Sequence, residues 1–130
     1  AVRREGSDIT VVTFGAMVQK SLEAARRMEG SGVGVEVIDL RTINPLDVET
    51  IYSSVRKTGK VLIVHEDTMT GGFGAEVSAL ITQNCFDSLD GPVLRVAALD
   101  TPVPYSPPLE DAMLPNEQKI FAALEQLSAY

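Results

Sequence analysis

The sequence predicts an α/β layered domain, and three observations carry that prediction. Short runs rich in β-branched residues alternate with longer segments whose apolar residues recur at helical spacing. Glycines stand at most of the junctions between them. The run Val61-Leu62-Ile63-Val64 is wholly apolar, as expected of a central strand covered on both faces.

Taken in chain order, Val2-Arg3-Arg4 is a candidate short edge strand whose charges discourage further pairing. Ile9 to Phe14 reads as a buried strand. Gly15 turns the chain into a helix from about Ala16 to Glu29, with Val18, Ser21, Leu22, Ala25 and Met28 inward. Glu23 lies four residues before Arg27 on its outer face, a stabilising order. Gly30-Ser31-Gly32 ends that helix, because glycine tolerates the left-handed turn a C-terminus favours. Val33 to Leu40 is the next strand. Asp47 is a good N-cap for the following helix, Glu49 adds favourable charge to its first turn, and Thr58-Gly59 stops it. Val48, Ile51, Tyr52 and Val55 form its inward stripe.

After Val61 to Val64 comes a polar, glycine-bearing loop beginning at His65. It opens a third helix through about Phe86, with Val77, Leu80 and Ile81 inward. Gly91-Pro92 breaks the chain before the last strand, Val93 to Val96. Asp100 to Pro108 carries four prolines and should run extended. A final helix begins near Pro115-Asn116 and uses Ile120, Phe121, Leu124 and Leu127. Four strong strands separated by helices imply a parallel sheet with right-handed crossovers. There is no internal repeat and no sign of a second domain within residues 1–130.

Composition narrows the function classes. Apolar residues make up 45% of the chain, enough for a real core. The formal charge of −7 argues against a nucleic-acid partner, whose affinity would come from clustered Lys and Arg. Adjacent basic residues occur only as the short pairs Arg3-Arg4, Arg26-Arg27 and Arg56-Lys57. A basic protein partner is easier to accept, although solubility explains the charge equally well. No apolar run approaches the roughly 18 residues needed to span a bilayer, and the polar start is unlike a secretory signal. The missing initiating Met suggests a fragment or a processed chain. Cys85 is the one cysteine and His65 the one histidine, which excludes an internal disulfide and a Cys/His zinc cluster and fits a reducing compartment.

The most site-like segment is His65 to Gly74, at the C-terminal end of a parallel strand where open α/β sheets place ligands. Gly71, Gly72 and Gly74 would let backbone amides approach an anion at the next helix start, or serve only a tight turn and close packing. The spacing matches neither a dinucleotide fingerprint nor a phosphate loop. His65 is a candidate general base, but the adjacent Glu66 points to the other face of the strand, and a hydrogen-bonded structural histidine is the simpler reading. Arg41 could clamp an anion, or pair with Asp39, Asp47 or Glu49. Cys85 reads as a packing residue and Glu110-Asp111 as a solvated run. No catalytic constellation emerges from the residues alone.

Several runs together resemble one family. Glu5 to Val12 is similar to the start of its domain, and Val37-Ile38-Asp39-Leu40-Arg41-Thr42-Ile43-Asn44-Pro45-Leu46-Asp47 to its most diagnostic stretch. Val64-His65-Glu66-Asp67 with Thr70-Gly71-Gly72-Phe73-Gly74-Ala75-Glu76 is a third match. In this order they resemble the transketolase C-terminal domain of 2-oxo acid dehydrogenase β subunits. Arg95 to Pro102, with Pro104-Tyr105, leans towards the dehydrogenases, of branched-chain or pyruvate type. A transketolase or deoxyxylulose-phosphate synthase module is the alternative parent. A free-standing small-anion regulatory domain is a reading of another class.

The resemblance implies a three-layer α/β/α domain, residues 1–130 of a longer chain, with a mostly parallel five-stranded sheet and Val2 to Arg4 as an antiparallel edge. It implies that thiamine diphosphate and magnesium belong to the parent enzyme, between other domains. No catalytic, cofactor-binding or metal residue is then expected here, and the chain alone should be inactive. The implied partners are the α subunit and a second β subunit of a heterotetramer, and the basic peripheral subunit-binding domain of an acyltransferase. Asp90 and Tyr130, with Asp87, are the candidate docking residues. The alternative reading of Asp87 and Asp90 is that they merely solvate a turn. His65, Glu66, Gly71, Gly72 and Phe73 form a candidate subunit-contact loop. Neither nucleic acid nor membrane is expected, and the implied location is bacterial cytoplasm, or the mitochondrial matrix in a eukaryote.

Overall fold

Five strands form one sheet in the order β1-β3-β2-β4-β5 in the computed structural model, which describes residues 2–40, 47–68, 73–98 and 115–130. The elements are β1 (Val2–Arg4), β2 (Ile9–Thr13), α1 (Met17–Glu29), β3 (Val35–Asp39), α2 (Val48–Thr58), β4 (Val61–Thr68), α3 (Phe73–Cys85), a 3-10 turn (Phe86–Ser88), β5 (Leu94–Ala98) and α4 (Glu117–Ser128). The pairs β2–β3, β2–β4 and β4–β5 are parallel, and β1 runs antiparallel to β3. The three-layer fold and its antiparallel edge are therefore as the resemblance implied.

Strand alternation distributes the core into two layers. Ile9, Val11, Val35, Val37, Leu62 and Val64 pack with α1 and α4, where Ala24, Ala25, Met28, Ile120, Leu124 and Leu127 complete the cluster. Val12, Ile38, Val61 and Ile63 pack with Ile51, Tyr52 and Val55 of α2 and Val77, Ile81 and Cys85 of α3. Every residue of β2 and β3 is buried, because each strand is paired on both edges and covered on both faces. Each fully buried Leu, Ile or Val side chain contributes about 1.5–3 kcal/mol, so the two layers supply most of the drive to fold.

The ends of α2 follow their sequence signals. Asp47 Oδ1 accepts the Thr50 N–H at 3.2 Å, and its other oxygen accepts the Thr50 hydroxyl at 2.7 Å. These two bonds hold the Asp47 carboxyl below its ordinary value. At the far end Gly59 takes φ 74° and donates its N–H to Val55 O. The Gly30-Ser31-Gly32 run ends α1 at Glu29 as expected. Gly30 stays right-handed, and the positive φ, 80°, falls on Gly32. Arg27 departs from its expected local pairing with Glu23. It reaches across to α4, where Nη1 lies 2.8 Å from Glu117 Oε1 and the guanidinium sits 3.8 Å from the Phe121 ring centroid.

The principal correction concerns His65 and Glu66. They do not begin a loop, because β4 continues through Thr68 and pairs there with Ala98 of an equally extended β5. His65 prolongs the inward phase of Val61 and Ile63 and is 0% exposed. No helix among the described residues is long and apolar enough to cross a membrane.

Candidate functional site

The candidate residues separate to opposite ends of the sheet. At the C-terminal end of β4, the His65 ring lies under the first turn of α3, and a Cβ built on Gly74 would overlap the imidazole. Gly74 thus lets the helix dock over a buried histidine, a packing role for one glycine of the predicted loop. Glu66 is exposed. Phe73 is the first residue of α3, while Gly71 and Gly72 lie outside the described residues, as do Arg41 and Glu110-Asp111. Buried as it is, the His65 side chain is not a surface that another subunit could touch in this fold.

Asp87, Asp90 and Tyr130 are gathered at the other end, where α3 and α4 finish. Leu89 donates its N–H to Phe86 O at 3.1 Å, closing the 3-10 turn. Asp90 then donates its N–H to Gly59 O at 2.7 Å, stitching the turn to the end of α2. Gly91 packs against the Tyr130 ring, where an added Cβ would stand 3.0 Å from Cγ. Asp90 and Tyr130 are therefore neighbours through one glycine, although 40 residues separate them in the sequence. Asp87 and Asp90 are both exposed.

Beside them runs an open groove of about 560 Å³ lined by Phe86, Asp87, Leu89, Pro92 and Val93. Phe86 is 69% exposed, and Tyr130 56%. The sequence reading ended α3 at Phe86 without noticing its exposure. The signal was present: the inward residues Val77, Ile81 and Cys85 recur every four positions, which leaves Phe86 off the stripe. Cys85 itself is packed in the core; burial pushes its thiol up, with the charge of Arg56 acting the other way.

A second polar cluster was also missed. Glu36 is 3% exposed, and its Oε1 accepts Lys57 Nζ at 2.5 Å and the Gly6 N–H at 3.3 Å. Burial works to raise its carboxyl, but hydrogen bonds from Lys57, Ser54 and Gly6, with the Lys57 charge, hold it below its ordinary value. Next to it the Thr10 hydroxyl lies 2.7 Å from both the Ser54 and Thr58 hydroxyls. A glutamate at a buried strand position, facing Ser54 and Thr58 one helical turn apart, was its sequence signature. The cluster is satisfied internally and ties α2 to the sheet. Among the described residues, no three His, Cys, Asp or Glu side chains could together hold a metal ion.

Comparison with known proteins places this geometry. The family model described as transketolase, C-terminal domain, matches residues 1–120. The chain is 45% identical over 130 residues to the 2-oxoisovalerate dehydrogenase subunit beta of Bacillus subtilis (strain 168), covering 99% of this chain and 40% of that protein. It is 47% identical over 119 residues to the pyruvate dehydrogenase E1 component subunit beta of the same organism, covering 92% of this chain and 36% of the relative. A solved structure described as a split gene transketolase, an inactive beta4 tetramer, superposes with a TM-score of 0.84 at 29% identity, over 99% of this chain and 41% of that one. The chain thus spans about two-fifths of the length of the relatives it matches.

Proposed function

This chain belongs to the transketolase C-terminal domain family, and we propose that it is the C-terminal assembly domain of the β subunit of a thiamine-dependent 2-oxo acid dehydrogenase. The observation that carries the reading is the 45% identity to a dehydrogenase β subunit, spread over 99% of this chain. The parent enzyme decarboxylates a 2-oxo acid oxidatively and transfers the acyl group to a lipoyl group. Thiamine diphosphate supplies that chemistry when bound. No catalytic step is assigned to the described residues of this domain. A transketolase-type parent is less well supported, since the structural relative of that kind is 29% identical.

The domain's part in the reaction is to hold the complex together. It joins an α subunit and a second β subunit in a heterotetramer, and its Asp87, Asp90 and Tyr130 surface docks the basic peripheral subunit-binding domain of the acyltransferase. The exposure of both carboxylates and the closeness of Asp90 to Tyr130 support that assignment. The bacterial source of the two relatives supports a cytoplasmic parent. The longer β chain that carries this domain, co-expressed with an α subunit, should oxidise 2-oxoisovalerate or pyruvate with a lipoylated acceptor. A complex that acts only on sugar phosphates would overturn the reading.

A further inference from the structure

The exposed Phe86 ring has a counterpart elsewhere in the same molecule. On the surface of α1 and α4, Arg27 lies over the Phe121 ring at 3.8 Å from its centroid, while its Nη1 is 2.8 and 2.9 Å from the two Glu117 oxygens. A guanidinium can do both at once because it is planar, delocalised and weakly hydrated. Its face takes the ring and its edge takes the carboxylate, a combination an ammonium serves less well. Phe86 and Asp87 present two members of that triad, a ring and a carboxylate lining one groove. No arginine or lysine among the described residues pairs with Asp87. The ring is also held in place: the turn that bears it is closed by the Leu89-to-Phe86 bond and tied to α2 by the Asp90-to-Gly59 bond.

We propose that Phe86 and Asp87 form a receptor for an arginine side chain of the docking partner, with the guanidinium stacked on the ring and paired with the carboxylate. The inference rests on the docking reading above and adds its apolar half: Asp90 and Tyr130 attract a basic surface, and Phe86 selects arginine from it. Charge favours this occupant over a second copy of the chain. A symmetric contact at the groove would set Asp87 against Asp87 on a chain of net charge −7, where like charges oppose association.

The test uses the assembled heterotetramer carrying the full β chain, with the acyltransferase's peripheral subunit-binding domain as titrant. Phe86→Ala should weaken binding about tenfold, by the same factor at low and high salt, because the lost contact is dispersion and quadrupole rather than screened charge. Phe86→Tyr should retain affinity and Phe86→Leu should not, which separates stacking from plain burial. Asp90→Lys should weaken binding at low salt and flatten its salt dependence. Replacing the partner's arginines with lysine should reproduce the Phe86→Ala loss. If Phe86→Ala binds as tightly as wild type while Asp90→Lys does not, the receptor is refuted and the docking reading stands. If wild type does not bind the domain, the docking reading fails first. If Phe86→Ala instead dissociates the heterotetramer, the groove is a contact between subunits, and the receptor is refuted as well.

Discussion

The two helical layers cover one sheet with different chemistry. Beneath α1 and α4 the sheet presents Ile9, Val11, Val35, Val37, Leu62 and Val64, and the buried polar side chains there are Thr13 and Asp39 at the strand ends and Ser21 of α1. Beneath α2 and α3 it presents Val12, Ile38, Val61 and Ile63, but also Thr10, Glu36 and His65, all buried. An apolar layer asks only that volume be filled, and it tolerates small sliding of the helix. A buried hydroxyl or carboxylate must meet a partner at hydrogen-bond distance or lose about 1–3 kcal/mol, so the polar layer fixes where its helices lie. The turn that bears Asp87 and Asp90 hangs from the end of α2 through the Asp90-to-Gly59 bond. The layer that carries the proposed docking turn is therefore the one that is pinned.

That contrast predicts unequal responses to mutation. Leu124→Ala, in the apolar layer, should cost about 2–5 kcal/mol in chemical denaturation, the largest effect of the set, yet leave the turn around Asp90 native in amide exchange. Gly74→Ala should cost about 1–3 kcal/mol by driving a Cβ into the His65 ring. The double variant with His65→Ala should recover part of that loss, and strict additivity would show that the two residues do not touch. Glu36→Gln should cost on the order of 1–2 kcal/mol at neutral pH by weakening its bonds to Lys57 and Gly6.

The pH dependence of that last variant follows from the lowered carboxyl. The fold favours ionised Glu36, so its contribution is complete above the ordinary value of 4.5 and is lost as pH falls through the lower folded value. Wild type should therefore lose more stability than Glu36→Gln across that acid range. Parallel acid profiles would contradict the pairing. The smallest effect belongs to Ser21, whose buried hydroxyl has no hydrogen-bond partner among the described residues; Ser21→Ala should be neutral or slightly stabilising. A clear loss would show that the apolar layer also carries a specific polar contact.

The difference between the layers also explains what could be read from the sequence. Period-two and period-3.6 patterns of apolar residues announced both layers, and local signals at Asp47 and Gly59 marked the ends of α2. His65 to Thr68 read as a loop because its residues are polar, whereas the strand continues there under a helix that Gly74 admits. That is tertiary information. The partner of Arg27 stands 90 residues away, and no local rule could prefer it to Glu23. At the end of the sheet where α3 and α4 finish, the acidic residues were legible as charge, but their closeness to Tyr130 depends on how those two helices end. Phe86 was legible only as a residue off the inward stripe.

In the proposed role the domain assembles catalytic machinery that is housed elsewhere in the parent enzyme. Calorimetric titration of the isolated 130-residue chain with thiamine diphosphate and magnesium, paired with an assay for 2-oxo acid consumption, addresses it most directly. No saturable heat and no turnover are expected until the rest of the β chain and an α subunit are supplied. Micromolar binding of thiamine diphosphate, or decarboxylation by the isolated chain, would contradict it.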